Sequence, residues 1–467
     1  MLNGLEASER KLLAVVKETK EFRIDSRFFK KEYLGAKAAV EKAGAAALED
    51  DASLSILHPA EIKRNYVSDG GVWFLRAQNL RPMHIDGSNK VFVSDEDAKT
   101  LNRNLLRKGD LLITRTGAAG SAAVFTKGTA LASSHIFVVR NKMFCHYYLM
   151  AYMNCRYGRL LADRGIYGGL QPEISQTYLK GMPVYRASAT LQTRIRKVVQ
   201  NAYDAGEKSA NLYKRAERDL LRHLGLLEWQ PQESGNAVKT FRDSMGASRR
   251  LDAEYYQPKY DDIMRLIRQN PEGVVSVDAA VCVKNKNSKP ADDEFYDYIE
   301  LANITPAGEI SDCATIKGED MPTRARRIVA QGDVIVSSVE GSLSSIALAE
   351  ERHHNAFCST GFYVINSQVF NSETLLLLFR SVVGQMQLRR GCSGTILTAI
   401  LPGAFGGIIL PVIKGQKQAA IKKTITEVQH LRALSKNLLD NARQAVEIAI
   451  EKGENKALAF LQKQTTP

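Results

Sequence analysis

Residues 109–117 read GDLLITRTG and residues 332–341 read GDVIVSSVEG, so a Gly-Asp pair, an apolar run and a small polar turn occur twice. A short apolar run bounded by Gly and Asp is typical of a buried β-strand. The two stretches begin 223 residues apart, at 109 and 332. Because solenoid repeats have periods of only about 20–50 residues, this spacing predicts two copies of a whole domain.

Four further landmarks recur in the same order at nearly the same offset. Each copy opens with Arg, an aliphatic residue and Asp before aromatic residues, at 23–29 and at 250–256. The other pairs are Arg164-Gly165 with Arg390-Gly391, Pro183-Val184 with Pro411-Val412, and Gln192 and Ile195 with Gln418 and Ile421. All offsets lie between 223 and 228 residues. The sequence therefore indicates a duplicated domain.

Composition predicts a globular protein. The chain has 467 residues, of which 44% are hydrophobic and 25% charged, enough for about three domain-sized units. No run approaches the roughly 18 apolar residues that span a bilayer, and residues 1–10 carry charges where a signal peptide has an apolar core. We therefore expect a cytoplasmic protein without membrane contact. The six cysteines form no C-x-x-C pair, which predicts reduced thiols rather than a zinc site or disulfides.

Each copy is expected to contain a strand-rich part followed by helices. Short apolar runs separated by Gly, Asn, Asp and Ser predict strands at 72–75, 90–93, 110–113, 122–125, 135–139, 297–301, 333–336, 345–348 and 362–365. We expect a curved, partly barrel-like sheet in each copy. Helical segments are predicted at 147–163 and 372–389.

Two long amphipathic helices are predicted, one after each strand-rich part. Their apolar stripes, at steps of three and four residues, are Leu191, Ile195, Val198, Ala202, Ala205, Ser209, Leu212 and Ala216, and Ile421, Ile425, Val428, Leu431, Leu434, Leu438, Ala442, Ala445 and Ala449. Each helix is expected to run about 30 residues and to end near Gly225 or Gly453. Two such stripes should pair with each other; alternatively, each helix packs only on its own domain.

In this order the residues resemble the specificity (S) subunits of Type I restriction-modification systems. The resemblance runs from about Arg23 to about Gly453. Its most specific pieces are residues 109–117 and the segment 169–174 (GLQPEI), which leads through 180–184 to the Gln192 helix start. In the second copy, GTILTAI at 394–400 replaces the Gln-Pro-Glu-Ile segment.

The resemblance implies an α+β fold. Two similar mixed, strand-rich target recognition domains are separated by two long antiparallel helices that form a coiled-coil-like spacer. The expected division is a first target recognition domain at 1–190, a first spacer helix at 191–226, a linker and second target recognition domain at 227–413, a second spacer helix at 414–453 and a tail at 454–467.

The resemblance also implies a DNA-binding subunit that recognises an asymmetric, bipartite double-stranded target in DNA methylation and antiviral defence. Two methyltransferase (modification) subunits and restriction/translocase subunits are the implied partners. S-adenosylmethionine, ATP and Mg would be bound by those partners, and no cofactor by this chain. The outer faces of the long helices are expected to help dock the partners, through residues such as Leu220, Leu221, Val446 and Ile448.

The sequence lacks the motifs of the expected partner enzymes. It has no Pro-Pro pair for an amino-methyltransferase loop and no Walker-type phosphate loop, and the turn at 117–120 lacks the required Lys. The pair His353-His354 has no regular metal-ligand spacing. We therefore expect a non-catalytic chain without a metal site. Three alternatives remain open: a self-sufficient methyltransferase or nuclease, a protein-interaction scaffold, and a specificity protein of another DNA-modification defence system.

The charge of the chain is consistent with a nucleic-acid partner. Its formal net charge is +13 and its pI about 9.3. The expected phosphate contacts are Arg103, Arg107, Lys108, Lys284, Lys286, Lys289, Arg324, Arg326 and Arg327. Residues in expected loops that could read base edges are Gln78, Asn79, Arg115, Thr116, Ser134, His135 and Gln171 in the first copy, and Asn303, Arg324, Ser338, Glu340 and Thr360 in the second.

Overall fold

The computed structural model describes residues 11–18, 21, 23–61, 65–68, 70–231, 238–245, 250–284, 286–394 and 398–464. Helices and short strands alternate along the chain, which confirms the predicted α+β class. Two compact units are present. The first contains Met1–Gly206 and Arg432–Pro467, and the second contains Glu207–Leu431. Each unit therefore holds one copy of the repeat and a part of both long helices.

The described strands of the first copy all precede its long helix. Its strands are β1 (Ala45–Ala47), β2 (Ser55–Leu57), β3 (Tyr66–Val67), β4 (Val72–Leu75), β5 (Leu80–Arg81), β6 (His84–Ile85), β7 (Phe92–Val93), β8 (Leu111–Thr114), β9 (Ala122–Val124), β10 (Ala130–Ala132), β11 (Ile136–Arg140), β12 (Ile166–Tyr167), β13 (Glu173–Ile174) and β14 (Pro183–Tyr185). Its helices are α1 (Leu12–Glu18), α2 (Lys31–Gly44), α3 (Asp95–Thr100), α4 (His146–Asn154), α5 (Arg156–Arg164), α6 (Gln176–Gly181) and the long α7 (Ala189–His223).

The second copy follows the same plan. Its strands are β15 (Val274–Ser276), β16 (Val281–Val283), β17 (Phe295–Ile299), β18 (Ala314–Lys317), β19 (Ala325–Ile328), β20 (Val334–Ser337), β21 (Ile346–Leu348), β22 (Phe357–Ser359), β23 (Phe362–Ser367), β24 (Cys392–Ser393), β25 (Ala399–Ile400) and β26 (Ile409–Pro411). Its helices are α8 (Phe241–Asp243), α9 (Pro258–Arg268), α10 (Val277–Ala280), α11 (Ser372–Arg380), α12 (Val382–Gly391), α13 (Pro402–Gly406) and the long α14 (Gly415–Lys452), and α15 (Glu454–Gln464) ends the described chain.

Each copy folds its strands into two four-stranded sheets. An antiparallel sheet has the order β2-β11-β8-β9 in the first copy and β16-β23-β20-β21 in the second. A mixed sheet is built around a parallel pair, β4 with β10 and β17 with β22. The expected single curved, partly barrel-like sheet is thus wrong. The strands of each copy are divided between two separate four-stranded sheets, so no single sheet curves around the copy.

The Gly-Asp pair forms the turn before the central strand of each antiparallel sheet. Gly109 and Gly332 have φ values of 96° and 84°, which a glycine adopts without the strain that a Cβ would cause. The Asp side chain accepts a backbone N–H three residues earlier, from Arg107 in the first copy and Ala330 in the second, at 2.8 Å in both. The motif therefore closes a turn and starts β8 or β20.

The same buried carboxylate binds a cation from a neighbouring strand. In the first copy Arg140 on β11 donates through Nε and Nη2 to the two Asp110 oxygens, at 2.7 and 2.6 Å. In the second copy Lys284, after β16, donates to Asp333 at 2.7 Å, and Asn366 on β23 donates at 3.1 Å. The cation has thus moved to the adjacent strand while the ion pair is kept.

The Arg-aliphatic-Asp opening ties the start of each copy to the end of a helix. Arg23 pairs with Asp25 at 2.6 Å and donates to the carbonyls of Gly165 and Ile166. Arg250 makes the equivalent contacts with Asp252 and with residues 390–392. The Arg-Gly landmark is the other half of this contact, since it supplies the receiving carbonyls.

The glutamine landmark fixes the start of each long helix to its own copy. Gln192 accepts the Cys145 N–H at 2.7 Å and donates to Ala187. Gln418 accepts the Asn371 N–H at 2.8 Å and donates to Ile413. The offset of 226 therefore applies to whole sets of hydrogen bonds as well as to the sequence.

The two long helices pack against each other in antiparallel fashion within each unit. In the first unit Ser435 donates to the Ala202 carbonyl at 2.7 Å, and in the second unit Ser209 donates to the Val428 carbonyl at 3.2 Å. The expected stripes are largely buried, although Leu434 is 39% exposed. The prediction that the helices pair is confirmed, and each helix packs on its own copy as well.

The helix ends agree with the glycine prediction, but two other details differ. Gly225 and Gly453 follow the helices with φ values of 68° and 88°. The expected tail instead forms α15, whose Ala457 and Leu461 are buried in the core of the first unit. The prediction that apolar residues on the outer helix faces dock the partners is also wrong for the four residues named. Leu220 and Val446 are buried in the cores, and Leu221 and Ile448 pack against those cores. Each helix therefore has a second apolar face, which is covered by the unit that holds that part of the helix.

In the described part of the chain, no helix combines the length and apolar character needed to cross a membrane. The six cysteines are all free thiols.

Replacing Asp110 with Ala should weaken the first unit selectively. The change leaves Arg140 and the Arg107 N–H without their acceptor, which should lower the local free energy of unfolding by about 2 kcal/mol. Amide hydrogen exchange in β8 and β11 should then accelerate by about 30-fold. Asp333→Ala should have the corresponding effect on β20 and β23.

The control is Glu96→Ala, which removes an exposed carboxylate from the first unit and should leave exchange unchanged. Unaltered exchange in Asp110→Ala would contradict the structural role of the Gly-Asp turn.

Candidate nucleic-acid interface

The end of β8 brings together four residues that the sequence singled out. Arg115 donates its backbone N–H to the His135 carbonyl at 2.9 Å, and its own carbonyl accepts the Ile174 N–H at 3.0 Å. The Thr116 hydroxyl lies 3.0 Å from His135 Nδ1. The Ser134 carbonyl receives Arg115 Nη1 at 3.4 Å. Arg115, Thr116, Ser134 and His135 therefore form one cluster at this edge of the sheet.

The Arg115 side chain is held by residues that the sequence analysis missed. It forms an ion pair with Glu173 on β13, and its Nη1 lies 2.9 Å from His58 Nε2. His58 follows β2, a strand too short to give a clear sequence signal. Glu173 lies inside the GLQPEI segment, which marked the residue only through the family resemblance. The guanidinium of Arg115, a candidate base reader in the sequence, thus holds the cluster together and is engaged inside the fold.

A hairpin formed by β12 and β13 projects from this cluster. Ile166 pairs with Ile174 and Tyr167 with Glu173, and Gly168 takes a φ of 92° to turn the chain. The tip, residues 168–172, is exposed, and Leu170 is completely so. Gln171 lies in this tip, and its side-chain amide makes no hydrogen bond to any described residue. Of the first-copy candidates it is well placed to meet a base edge.

Tyr167 reinforces the hairpin. Its hydroxyl donates to Glu173 at 2.7 Å. This hydrogen bond to the carboxylate, together with partial burial, raises the pKa of Tyr167 to about 12. Glu173 therefore links the hairpin to Arg115 on one side and to Tyr167 on the other.

The second copy has the same backbone frame with different side chains. The Ser338 N–H donates to the Gly361 carbonyl at 2.8 Å, and the Ser338 carbonyl accepts the Ile400 N–H at 2.8 Å. These contacts repeat those of Arg115. The Ser338 hydroxyl also donates to Gly361 at 2.9 Å. The β24–β25 hairpin takes the place of β12–β13, and residues 395–397 of its GTILTAI segment lie outside the described residues.

Glu340, Thr360 and Arg324 complete the cluster in the second copy. Glu340 is exposed, and its N–H donates to the Thr398 carbonyl at 3.0 Å. The Thr360 N–H donates to the Arg324 carbonyl at 2.9 Å. Neither the Glu340 carboxylate nor the Arg324 guanidinium makes a hydrogen bond or ion pair within the described chain. Both groups are therefore available to a ligand.

Asn79 and Asn303 occupy equivalent positions, and the side-chain amide of each forms hydrogen bonds inside the protein. Asn79 accepts the Arg76 N–H and donates to the Asp86 and Asn89 carbonyls. Asn303 accepts the Glu300 N–H at 2.8 Å and donates to the Asp312 carbonyl. Both side chains brace short 3₁₀ turns, so we do not retain them as base readers. The neighbouring Gln78 is exposed.

The basic candidates separate into internal and exposed groups. Lys284 pairs with buried Asp333. Arg327 donates to the Phe362 carbonyl and lies over the Tyr363 ring, and burial lowers the pKa of its guanidinium. These two side chains support the fold. Arg326 is half-buried and donates to the Thr323 carbonyl at 2.9 Å. Lys289 is exposed and lies 3.1 Å from Asp292. The other exposed basic candidates are Arg103, Arg107, Lys108, Lys286 and Arg324.

The exposed cations of the first copy lie away from the hairpin. Arg107 stands in the turn that starts β8, while Arg115 follows the other end of the same strand. The structure therefore does not join Arg103, Arg107 and Lys108 to the Arg115 cluster. Within the described residues, no group of three or more His, Cys, Asp or Glu side chains could hold a metal ion.

The chain is similar to solved structures of restriction-modification proteins. The S subunit of a Type I system from M. genitalium is 11% identical, covering 89% of this chain and 95% of that one, with a TM-score of 0.39. The HsdS subunit from Thermoanaerobacter tengcongensis is 11% identical, covering 90% and 95%, with a TM-score of 0.26. A chain from a structure of a type I R-M system is 12% identical, covering 90% and 96%, with a TM-score of 0.28.

No family model and no curated protein matches the chain. The functional assignment therefore depends on the chain's own residues.

Replacing Glu173 with Gln should change the titration of Tyr167. Losing the carboxylate that accepts the hydroxyl should lower the Tyr167 pKa from about 12 towards 10.0. The hydrogen bond favours the neutral phenol, so it stabilises the hairpin below about pH 10 and is lost as the pH rises towards 12. Titration of ζ-¹³C-labelled tyrosine by NMR measures the shift.

Tyr157 is the internal control, since burial and Glu451 raise its pKa to about 12 independently of Glu173. A Tyr167 pKa that stays at its original value in the variant would rule out the described hairpin contact.

Proposed function

We propose that this chain is the specificity subunit of a Type I restriction-modification complex. It recognises an asymmetric, bipartite DNA target through its two copies and does not itself catalyse a reaction. The observation that carries the proposal is the retained frame at the end of β8 and β20. Equivalent backbone hydrogen bonds hold Arg115 and Ser338, while the side chains around them differ.

Two copies that share the same backbone hydrogen bonds but differ in the surrounding side chains are suited to recognising two different short DNA sequences. Base edges in the major groove are distinguished by the donors and acceptors that face them. Among the described residues, the amides of Gln78 and Gln171 in the first copy make no hydrogen bond, and the side chains of Arg324 and Glu340 in the second make no hydrogen bond or ion pair. Amides pair with adenine, Arg with guanine and carboxylates with cytosine. The two half-sites should therefore differ, which excludes a perfect palindrome.

Two features support the whole-chain assignment. The resemblance to S subunits covers the sequence from about Arg23 to Gly453, and the long helices pair in both units. Double-stranded DNA, two modification subunits and restriction/translocase subunits are the proposed partners. S-adenosylmethionine, ATP and Mg are assigned to those partners. A protein-interaction scaffold remains the alternative, and selection from random duplexes distinguishes the two because a scaffold enriches no motif.

Exchanging residues 20–188 for the same region of a relative should alter one half-site and leave the other unchanged. The reason is that the base-reading cluster of the first copy is built from this region alone. The measurement is methylome mapping in cells that also contain the modification subunits. The reciprocal control exchanges 253–413 and should alter only the other half-site. Simultaneous change of both half-sites would show that the copies do not read independently.

The long helices are proposed to set the distance between half-sites. Adding a heptad after Leu212, with a second heptad after Thr424 to preserve the pairing, lengthens the spacer by about 10 Å. The gap should grow by about three base pairs at 3.4 Å each, and the recognised bases should stay the same. Altered bases with an unaltered gap would exclude the spacer role.

The modification subunits should bind this chain and remain bound on size exclusion at moderate salt. Lys214 and Arg218 lie on the exposed face of α7, and polar faces of this kind suit a docking rim. Reversing both to Glu should weaken the complex by about tenfold. Lys42→Gln on α2 is the control for a lost surface charge. Separate elution of unmodified chain and modification subunits would refute the assignment as their subunit.

A further inference from the structure

A cleft of about 260 Å³ lies along the edge strand β2 of the first copy. Three arginines line it, Arg103, Arg107 and Arg140. The other lining residues are Ser55, Leu57, Asn102 and Leu105. Its size is below the roughly 300–1,000 Å³ of sites for drug-sized ligands. A small charged group is therefore the fitting occupant.

The positive charge of the cleft is largely uncompensated. The guanidinium groups of Arg103 and Arg107 make no hydrogen bond or ion pair with any described residue. Arg140 uses Nε and Nη2 on Asp110, which leaves Nη1 without a partner in the described chain. The carboxylate of Asp110 is 4% exposed and also accepts the Arg107 N–H. Asp110 is thus occupied and cannot neutralise the other two arginines.

The second copy keeps only part of this cleft charge, and its cations there are engaged inside the protein. Leu105 forms a β-bridge with Leu131 in the first copy, and Ile328 pairs with Phe357 in the second. These pairings make Leu105 and Ile328 equivalent, at an offset of 223, and the same offset makes Arg103 equivalent to Arg326. The same offset aligns Arg107 with Ala330, and the strand registers align Arg140 with Asn366 and Leu57 with Lys284. Arg326 donates to Thr323, and Lys284 is paired with Asp333.

We propose that the cleft formed by β2, residues 102–107 and Arg140 binds a phosphate group, and that in the DNA complex this group is a backbone phosphate held by the first copy alone. A guanidinium group can donate two parallel hydrogen bonds to two oxygens of one carboxylate or phosphate. A carboxylate offers two oxygens in one plane, whereas the tetrahedral oxygens of a phosphate can be approached by several guanidinium groups from different sides. Three converging arginines therefore favour phosphate.

The cleft is also within reach of a duplex that contacts the hairpin. Ser55 lines the cleft and His58 belongs to the Arg115 cluster. The two positions are three residue steps apart along extended chain, which is about 10 Å at 3.3 Å per residue. A DNA backbone carries phosphates at closer intervals than that distance, so one strand could pass both places. This DNA part rests on the proposed function, whereas binding of a phosphate group does not.

The first experiment measures inorganic phosphate binding to the full chain by ³¹P NMR or calorimetry. The double variant combines Arg107→Ala, which introduces the residue found at the equivalent position of the second copy, with Arg103→Gln. It should bind phosphate at least tenfold more weakly than the unaltered chain. Both side chains are exposed, so the fold should persist, and circular dichroism checks this. Lys42→Gln removes a surface charge outside the cleft and should bind phosphate like the unaltered chain. Undiminished phosphate binding in the double variant overturns the cleft proposal.

The second experiment measures duplex DNA affinity against salt, for the chain alone and with its modification subunits. The double variant should reduce the slope of log K against log salt by about one for each lost phosphate contact, and the selected motif should be unchanged. Loss of phosphate binding with an unchanged slope would identify a free phosphate ligand and overturn the DNA part. If the unaltered chain selects no motif yet binds phosphate through Arg107, the proposed function fails while the cleft stands.

Discussion

The buried carboxylate of the Gly-Asp turn is the contact on which each copy depends. Asp110 and Asp333 close the turn before the central strand, and each binds a cation from the adjacent part of the sheet. A buried carboxylate is stable only when its oxygens are satisfied, so this contact fixes the start of the strand and the position of its neighbours. The far end of the same strand then presents Arg115 or Ser338 at a defined place. The structural motif and the candidate reading position are thus the two ends of one short strand.

The two copies share their internal contacts but differ in the side chains at their hairpins. The cation of the buried pair is Arg140 on β11 in the first copy and Lys284 after β16 in the second, yet the ion pair persists because both positions reach the same carboxylate. The hydrogen bonds of Gln192 and Gln418 persist for the same reason. At the hairpins the backbone bonds are kept while the side chains differ: Arg115, Glu173 and Tyr167 form a network in the first copy, and the Ser338 hydroxyl donates to Gly361 in the second. Those positions have diverged, which is the pattern expected when fold is shared and the recognised sequence is not.

The sequence predicted the features that have a period or a repeat. The helix stripes, the pairing of the helices and most strands of the antiparallel sheets follow from apolar spacing, and the α+β class follows from the family resemblance; all are confirmed. Side-chain partners were beyond such reasoning. Asn79 suits adenine chemically, but a fold-dependent turn uses its amide, and Lys284 is held by a carboxylate 49 residues away. His58 and Glu173 escaped notice because each gains its role only when distant strands bring it to Arg115.

The same distinction decides which polar residues can contribute to recognition. A donor already satisfied inside the fold must break that bond before it meets DNA, which costs as much as the new bond returns. The side chains in that position are Asn79, Asn303, Lys284, Arg327 and Arg115. Gln171, Arg324 and Glu340 have no internal bond within the described chain and can give their full pairing energy to a base. A reading surface is therefore defined less by residue type than by what the fold leaves unpaired, and in this chain the unpaired groups differ between two otherwise equivalent frames.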